Sequence, residues 1–389
     1  MRVLIVDPTG FGGICHYTYN LCQALSQEGL DVILVTAQVY DLIRLPRKFK
    51  LKNIFRDVSI PNSKQLFYLP KIFIRRLNLI LDFLALLMVI LKTKPNIVHF
   101  QWFRTYRPDY YYLKFLRIIG VKTVLTAHEV VPEFVNPDKY DKYASRLYQS
   151  LYKLIALTEP GKISLISRYH VSPKLIHLAV IPHGDYLFFN SIIQTDVNFR
   201  DEFGLESNDK VVLFFGRITC DKGLDQLLYS FKIVQDRLPN AKLLIGGVLI
   251  ENFEPYKKII YELGLSNNVR IFTKSEVIPF NKIPGYFQAA DIVALPYRYS
   301  CQSGILEIAF AMSKPVVATD VGVLKSAVAN GAGFVVPPGD IRQMAECIIA
   351  ILENDGLRKQ MSIKAREAAQ QNRSWQTIAR DFLNVYKSI

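Results

Sequence analysis

Short, continuous apolar runs alternate with longer amphipathic stretches along this chain, and that alternation limits its fold more than any other feature. Runs of four to eight apolar residues are typical of parallel strands buried on both faces. Their alternation with helical stretches predicts βαβ units and doubly wound α/β sheets. The predicted strands lie at 2–7, 31–36, 96–101, 122–127, 153–158 and 178–182, and then at 210–216, 241–247, 269–272, 291–296, 315–319 and 333–337.

The runs form two series separated by residues 184–209, which show no regular period. A chain of 389 residues is long enough for two domains. We therefore predict two Rossmann-like domains, 1–185 and 186–373, with a C-terminal helix over 374–389 that packs back on the first. Ligands of such sheets bind at the carboxyl ends of the strands. The other predicted helices cover about 14–27, a basic stretch ending near Lys92, 223–237, 254–264, 303–313 and 340–353.

The net charge of +14 is concentrated in the first half. Residues 1–190 contain 25 basic and 13 acidic side chains, and residues 44–94 contain 12 basic and 2 acidic ones. A basic block of this kind fits a nucleic acid or an anionic membrane surface. The chain has no helix-turn-helix, zinc-finger or RNP-like signature. Nucleic acid is therefore disfavoured, and an anionic membrane surface is the expected partner of this half.

One apolar stretch, Leu77 to Leu91, bears on the membrane question. It has 15 residues and includes Asn78 and Asp82, whereas a transmembrane helix needs about 20 apolar residues. Two interpretations remain: a buried helix packed on a sheet, or a helix dipped into a bilayer interface. The aromatic and basic residues of 104–117 fit either a headgroup layer or a packed surface.

Five scattered cysteines without a CxxC pair predict buried thiols in a reducing compartment. The first residues form a strand pattern and not a secretory signal. The expected location is cytoplasmic, peripheral on the inner face of the cell membrane.

The clearest candidate site lies in residues 214–231. A predicted strand ends at Gly216, Arg217 follows directly, and Lys222 comes five residues later, where a helix begins. Two cations beside a helix N-terminus suit a diphosphate. The alternative is a solvated charge pair at a helix start.

A second candidate follows the strand at 291–296. Its polar loop includes Gln302 and Ser303, and a helix is predicted to begin near Gly304, where backbone N–H groups can hold a phosphate oxygen. Glu307 falls in the first turn of that helix. Its carboxylate either accepts hydrogen bonds from ribose hydroxyls or simply favours the helix dipole.

Together these segments resemble the donor-binding domain of family-4-type, group 1 retaining glycosyltransferases. The shared features are GR(x)4KG, the S-G-x-L-E helix start, KPVVATDVG and GAGFVVPPGD, in the family's order. The first half carries GFGGICHYTYNL, NIVHFQ, LTAHE, IALTEPGK and IPHGD, also in order. The resemblance covers essentially the whole chain. It implies the GT-B fold, in which two Rossmann-like domains face each other across a cleft.

The resemblance also implies roles for particular residues. Arg217 and Lys222 should bind the donor diphosphate and stabilise the leaving group. Gly12 and Gly13 should let the chain approach the diphosphate and the acceptor, since glycine has no side chain to block them. The other donor contacts are then expected from Gly216, Gln302, Ser303, Gly304, Ile305 and Glu307.

Two histidines are the acceptor-side candidates of the same resemblance. His128 should lie near the acceptor or the transferred sugar and count among the catalytic residues; the alternative is a core histidine with satisfied hydrogen bonds. His16 should contact the acceptor.

The chain departs from the family in one respect. Typical members carry a Glu-x7-Glu pair, but the corresponding positions here are Ser300 and Ile308. Glu307 is one position away, which is about 100° around a helix. The roles of that pair therefore cannot be transferred, and Gln302 and Ser303 are the candidates to replace part of them.

The resemblance implies transfer of a hexose-type sugar, with retention, from a UDP- or GDP-sugar to a lipid-linked, polysaccharide or glycolipid acceptor. It implies an oxocarbenium-like transition state and no metal or other cofactor. The alternatives are a nucleotide-sugar-binding protein without turnover and a sugar-nucleotide epimerase, although an epimerase would need an acidic cluster that the sequence lacks. A dinucleotide dehydrogenase is disfavoured because Cys15 replaces the third glycine of its fingerprint.

Overall fold

The computed structural model divides into two compact units, 1–184 with 374–389 (unit 1) and 185–373 (unit 2). None of the helices in the described part of the chain is long and apolar enough to cross a membrane. The structure describes residues 1–56, 68–128, 137–173, 180–192, 197–274, 278–299, 303–371 and 374–389.

Unit 1 is built on a six-stranded parallel sheet of order β3-β2-β1-β4-β5-β6. The strands are β1 (Arg2–Asp7), β2 (Asp31–Ala37), β3 (Lys50–Phe55), β4 (Ile97–Phe100), β5 (Thr123–Ala127) and β6 (Lys153–Ala156). The helices between them are α1 (Gly12–Gln27), α2 (Tyr68–Thr93), α3 (Tyr106–Ile118) and α4 (Pro137–Ser150), and α5 (Glu159–Ser167) follows β6.

Unit 2 repeats the plan with the order β12-β11-β10-β7-β8-β9, again all parallel. The strands are β7 (Lys210–Ile218), β8 (Ala241–Leu249), β9 (Val269–Lys274), β10 (Ile292–Leu295), β11 (Val316–Thr319) and β12 (Gly333–Val336). The helices are α6 (Phe199–Glu202), α7 (Leu224–Arg237), α8 (Glu254–Glu262), α9 (Ile283–Ala289), α10 (Gly304–Ala311), α11 (Leu324–Val328), α12 (Ile341–Glu353) and α13 (Asp355–Gln371).

The last helix, α14 (Trp375–Lys387), belongs to unit 1. It buries Trp375, Phe382 and Tyr386. The Trp375 ring lies 5.2 Å from the ring of Tyr17 on α1, and a Cβ added to Gly184 would lie 2.6 Å from that indole. The small residue at 184 therefore makes room for the indole at this place.

Each sheet reverses its strand order once, between β1 and β4 in unit 1 and between β7 and β10 in unit 2. The carboxyl ends of the two strands at such a reversal diverge into helices on opposite faces and leave a crevice, which is the usual ligand site of an open α/β sheet. The α/β, GT-B fold class predicted from sequence is confirmed.

Several boundaries differ from the sequence predictions. β3 was not predicted, and neither were α9, α11 and α13. The predicted strand at 178–182 lies partly outside the described residues, and its described part, 180–182, is not a strand.

β7 continues to Ile218, so Arg217 lies inside the strand and not after it. The thiol of Cys220 is exposed, contrary to the expectation of buried cysteines.

Candidate functional site

At the switch point of unit 2, a tight turn holds Lys222 against the end of β10. A 3-10 turn, Cys220–Lys222, follows β7, and Gly223, with φ of 67°, is the N-cap residue of α7. A Cβ at Gly223 would collide with the carbonyl oxygen of Pro296, just after β10. Glycine is therefore required here both for its left-handed backbone and for the close approach of the two segments.

The ammonium group of Lys222 has two neighbours in this turn. It lies 3.1 Å from Oδ2 of Asp221 and 4.3 Å from the centre of the Tyr297 ring, with a side chain that is 17% exposed. Burial opposes ionisation of Asp221, but a hydrogen bond with Thr219 and the charges of Lys222 and Arg217 outweigh it and lower the pKa of this carboxyl. Arg217 and Lys222 thus both interact electrostatically with the carboxylate of Asp221. The two cations and one carboxylate together carry a net positive charge.

Arg298 fixes the position of this turn. Its guanidinium donates two hydrogen bonds to the carboxylate of Asp225, at 2.9 and 2.6 Å, and a third to the carbonyl oxygen of Cys220 at 2.6 Å. Its backbone N–H donates to the carbonyl oxygen of Asp221 at 2.8 Å. Bidentate charge-assisted bonds are directional and strong. They tie the turn after β7 and the start of α7 to the segment after β10.

The start of α10 lies beside the same strand end. Ser303 caps this helix through Oγ, which accepts a hydrogen bond from the N–H of Leu306 at 3.3 Å. The N–H groups of Gly304 and Ile305 belong to the first turn, where a helix offers no carbonyl to accept them. A Cβ on Gly216 would lie 3.5 Å from Cγ1 of Ile305. An anion at this helix start would therefore lie close to the carboxyl end of β7.

Tyr297 connects the two halves of this site. Its ring lies under Lys222, and its hydroxyl oxygen is 3.4 Å from Oγ of Ser303. The tyrosine is buried, so it holds the cation and the helix cap in fixed relation. Gln302, the remaining predicted donor contact, lies outside the described residues.

Glu307 occurs in the first turn of α10, as predicted, and is half-buried. Burial, followed by the charge of Glu307, raises the pKa of the Tyr186 phenol, so the carboxylate and this hydroxyl interact. The Tyr186 hydroxyl also lies 3.8 Å from a Cβ built on Gly304. A buried tyrosine hydroxyl and a carboxylate therefore flank the start of α10.

In unit 1 the glycine loop after β1 borders open space, with no protein atoms close to Gly12 or Gly13. A Cβ on Gly12 or Gly13 would meet no atom within 4 Å, and Gly12 has φ of 74°. α1 begins at Gly12. His16, one turn into α1, is only 3% exposed, and burial lowers its pKa to about 3. The glycines thus border free space, whereas the His16 ring is enclosed.

His128 follows β5 and is the first member of a chain of hydrogen bonds through unit 1. Its Nε2 is 2.9 Å from Oε1 of Gln101, whose Nε2 is 3.2 Å from Nε2 of His99. Nδ1 of His99 is 2.6 Å from the hydroxyl of Tyr386 on α14. The His128 ring packs edge-on against Tyr17, with ring centres 4.7 Å apart.

This chain determines where the protons lie. In this orientation of the Gln101 amide its Nε2 donates to Nε2 of His99, which also lies 2.8 Å from the hydroxyl oxygen of Thr126; both groups then donate to this nitrogen, and the His99 proton is on Nδ1, facing Tyr386. The amide oxygen of Gln101 accepts, so His128 carries its proton on Nε2 and keeps a lone pair on Nδ1. Burial, followed by the charges of His183 and His99, lowers the pKa of His128 well below its usual value. His128 is therefore neutral at pH 7.

The structure brings Gly216, Arg217, Lys222, Ser303, Gly304, Ile305 and Glu307 together at the switch point of unit 2. Sequence reasoning missed the residues that position them. Tyr297 and Arg298 lie in the polar loop after β10, but no local pattern indicates that they reach Lys222 and Asp225. Gln101 and His99 were likewise visible in NIVHFQ, as part of a strand.

Two family models match the chain. Residues 11–184 match a model described as Glycosyltransferase Family 4, and residues 196–368 match one described as Glycosyl transferases group 1. Together they span most of both units.

Curated relatives share part of this length. A D-inositol 3-phosphate glycosyltransferase of Corynebacterium aurimucosum is 32% identical over 241 residues, which are 60% of this chain and 56% of that protein. Mannosylfructose-phosphate synthase of Agrobacterium fabrum is 28% identical over 245 residues, 61% of this chain and 53% of that protein. The chain thus spans little more than half the length of these relatives.

Solved structures show the same fold along the whole chain. HepE of Anabaena, in complex with UDP-glucose, superposes with a TM-score of 0.77 at 18% identity and covers 100% of both chains. Sucrose-phosphate synthase of Thermosynechococcus elongatus gives a TM-score of 0.74 at 19% identity, covering 100% of this chain and 98% of that one.

The Arg298 clamp should stabilise the turn that carries Lys222. We expect Arg298→Ala to lower the free energy of unfolding of unit 2 by about 1–3 kcal/mol, because three charge-assisted hydrogen bonds are lost. Amide hydrogen exchange should become faster over residues 219–225. Arg342→Ala removes an exposed arginine that pairs with Glu346 on α12 and should change neither quantity. Unchanged exchange at 219–225 in Arg298→Ala would contradict the clamp.

Burial of neutral His99 should make unit 1 sensitive to acid. Burial lowers the pKa of His99 to about 3, against about 6.5 when unfolded, so the unfolded chain binds more protons between these values. Stability should therefore fall as the pH falls below about 6.5. Relative to His99→Gln, the wild type should lose about 2 kcal/mol between pH 7 and pH 5.

Tryptophan fluorescence during urea unfolding measures this difference, since both tryptophans, Trp102 and Trp375, belong to unit 1. His170→Asn changes an exposed histidine of the same unit and should show the pH dependence of the wild type. A constant difference between wild type and His99→Gln across this range would show that His99 does not titrate as described.

Proposed function

This chain belongs to the group 1 glycosyl transferases, and we propose that it transfers a hexose-type sugar from a nucleotide-diphosphate sugar to an acceptor. Unit 2 binds the donor, and unit 1 binds the acceptor.

The assignment of donor binding to unit 2 rests on one observation. Arg217 and Lys222 act on the same carboxylate at the carboxyl end of β7, and the first turn of α10 adjoins that strand end. Two cations and a helix N-terminus supply both charge and N–H donors for a diphosphate. Binding displaces Asp221 from the cations, because a diphosphate carries more negative charge than one carboxylate.

The same group of residues serves catalysis. Negative charge grows on the diphosphate as the glycosidic bond breaks, and fixed cations that stabilise it lower the barrier. Two carboxylates at this strand end interact with other side chains: Asp221 pairs with Lys222, and Glu307 lies beside Tyr186. We propose that the reaction retains the anomeric configuration, with the leaving diphosphate itself stabilising an oxocarbenium-like transition state. The site is proposed to act without a metal.

His128 is the proposed catalytic group of unit 1. A neutral imidazole with its proton on Nε2 held by Gln101 offers the lone pair of Nδ1 to a hydroxyl of the sugar or acceptor. Gln101 is then a positioning residue, since it fixes the tautomer and the ring orientation.

The relatives and structural neighbours indicate which donors and acceptors to test first. The Anabaena structure holds UDP-glucose, so a UDP-sugar is the first donor to test, with a GDP-sugar second. The matched relatives are named a D-inositol 3-phosphate glycosyltransferase, a mannosylfructose-phosphate synthase and a capsular polysaccharide biosynthesis glycosyltransferase. We propose a lipid-linked, polysaccharide or glycolipid acceptor, met by a cytoplasmic protein at the inner face of the membrane.

A nucleoside diphosphate should raise the melting temperature. At about 100 times its dissociation constant it stabilises unit 2 by about 2.7 kcal/mol, which is about 5–10 °C for a unit of this size. Thermal-shift screening of UDP, GDP, ADP and their sugars, with EDTA present, measures the effect. Arg217→Ala should abolish the shift. Arg237→Ala changes an exposed arginine on α7 that pairs with Glu353 and should keep it.

The outcomes separate the candidate functions. If none of the nucleotides raises the melting temperature, the donor site is contradicted. If the shift is retained in Arg217→Ala, the assignment of Arg217 to that site is contradicted. A selective shift without release of nucleoside diphosphate, across lipid-borne and glycan acceptors, would favour a binding protein without turnover. Conversion of the donor sugar in the absence of any acceptor would favour an epimerase.

A further inference from the structure

Helix α2 carries an apolar stripe on its solvent side. Exposed apolar residues recur at intervals of three and four, so they share one face of the helix. On the opposite face Leu86 and Ile90 are buried in the core of unit 1. The members of the exposed stripe, with 37–57% exposure, are Ile74, Leu77, Ile80, Leu81, Leu84, Met88 and Leu91. We call this set the α2 stripe.

Helix α3 extends the apolar surface. It exposes Tyr111, Phe115 and Ile118, which lie on one side of the helix at intervals of four and three. The ring of Tyr112 on α3 stacks on Phe83 of α2, with ring centres 4.6 Å apart and planes 8° apart. The two helices therefore adjoin. Clustered exposed apolar residues on this scale mark an interaction surface.

The exposed charges of the described parts of α2 and α3 have one sign. Asp82 and Asp109 are the acidic residues of 74–93 and 106–118, and both are buried. Asp82 pairs with Arg56 at 2.8 Å and with Arg104 at 2.7 Å, so its charge is offset inside the unit. The exposed charged residues of the two segments are all basic: Arg75, Arg76, Lys92, Arg107, Lys114 and Arg117.

This charge pattern decides between the possible occupants. A second copy of the chain would bring two basic surfaces together, and the positions beside the stripe, such as Asn78 and Ala85, offer no opposite charges to pair across a helix dimer. A bilayer with anionic lipids matches both features, because apolar side chains enter the acyl boundary while Lys and Arg reach the phosphates. We propose that the α2 stripe and the exposed face of α3 dock on an anionic membrane surface.

Docking explains how a lipid-borne acceptor would reach the site, and this step rests on the proposed function. The side of α2 that packs on the rest of unit 1 borders a cavity, to whose lining it contributes Leu79 and Phe83. Pro8 and Trp102, which follow β1 and β4, line the same cavity. The helix that meets the membrane therefore also borders the carboxyl ends of β1 and β4, at the switch point of unit 1.

Vesicle flotation tests the docking surface. The full chain should bind vesicles of phosphatidylglycerol and phosphatidylcholine and should bind pure phosphatidylcholine much more weakly. The double variant L84D/M88D should lose at least tenfold in binding to the anionic vesicles, since both positions are exposed and two carboxylates repel the surface. I363D is the matched control: Ile363 is 59% exposed, like Met88 at 55%, but lies in unit 2, and its binding should be unchanged.

Two measurements keep the result interpretable. The nucleotide-induced thermal shift reports on unit 2 and should be the same in wild type and L84D/M88D, so a folding defect or a failed donor site is recognised separately. Light scattering without lipid should show one oligomeric state for both proteins. Equal vesicle binding by wild type and double variant would overturn the proposal. So would a dimer that L84D/M88D dissociates, because the stripe would then be a contact between copies.

Discussion

Burial of both parallel sheets on both faces is the constraint on which the rest of the structure depends. The central strands are apolar throughout, as in β1, where Val3 to Val6 have almost no exposure. Charged groups that do chemistry can therefore lie only at the strand ends. The repeated strand order then brings two of those ends together in each unit. Gly12 borders open space at one of these ends, and Gly223 lets the turn after β7 approach the backbone of Pro296 at the other.

At these ends the candidate residues depend on partners that hold them in place. Lys222 is held by the turn that Arg298 ties down, and Tyr297 joins that cation to the capped start of α10. His128 depends in the same way on Gln101, His99 and Tyr386. The last of these comes from α14, so the C-terminal helix supplies a hydrogen-bond partner to a histidine 287 positions away in the sequence.

The sequence predicts what is local and periodic. Eleven of the strands stand out because they are apolar runs, whereas β3, an edge strand reading KLKNIF with exposed lysines, does not look like one. The candidate cations were visible from their spacing. The Arg298–Asp225 bond joins residues 73 positions apart, and no local pattern can indicate it. The α2 stripe could not be foreseen either, since an apolar stretch does not show which of its faces packs, and the structure shows one face packed and one exposed.

The central claim is that a nucleoside diphosphate binds at the switch point of unit 2. The most direct measurement is a crystal structure of the full chain with UDP or the nucleoside diphosphate that gives the largest thermal shift. The account predicts phosphate oxygens within hydrogen-bond distance of Arg217, Lys222 and the N–H groups of Gly304 and Ile305, with Asp221 turned away from Lys222. Diphosphate bound elsewhere, or Asp221 still paired with Lys222 beside an occupied site, would contradict it.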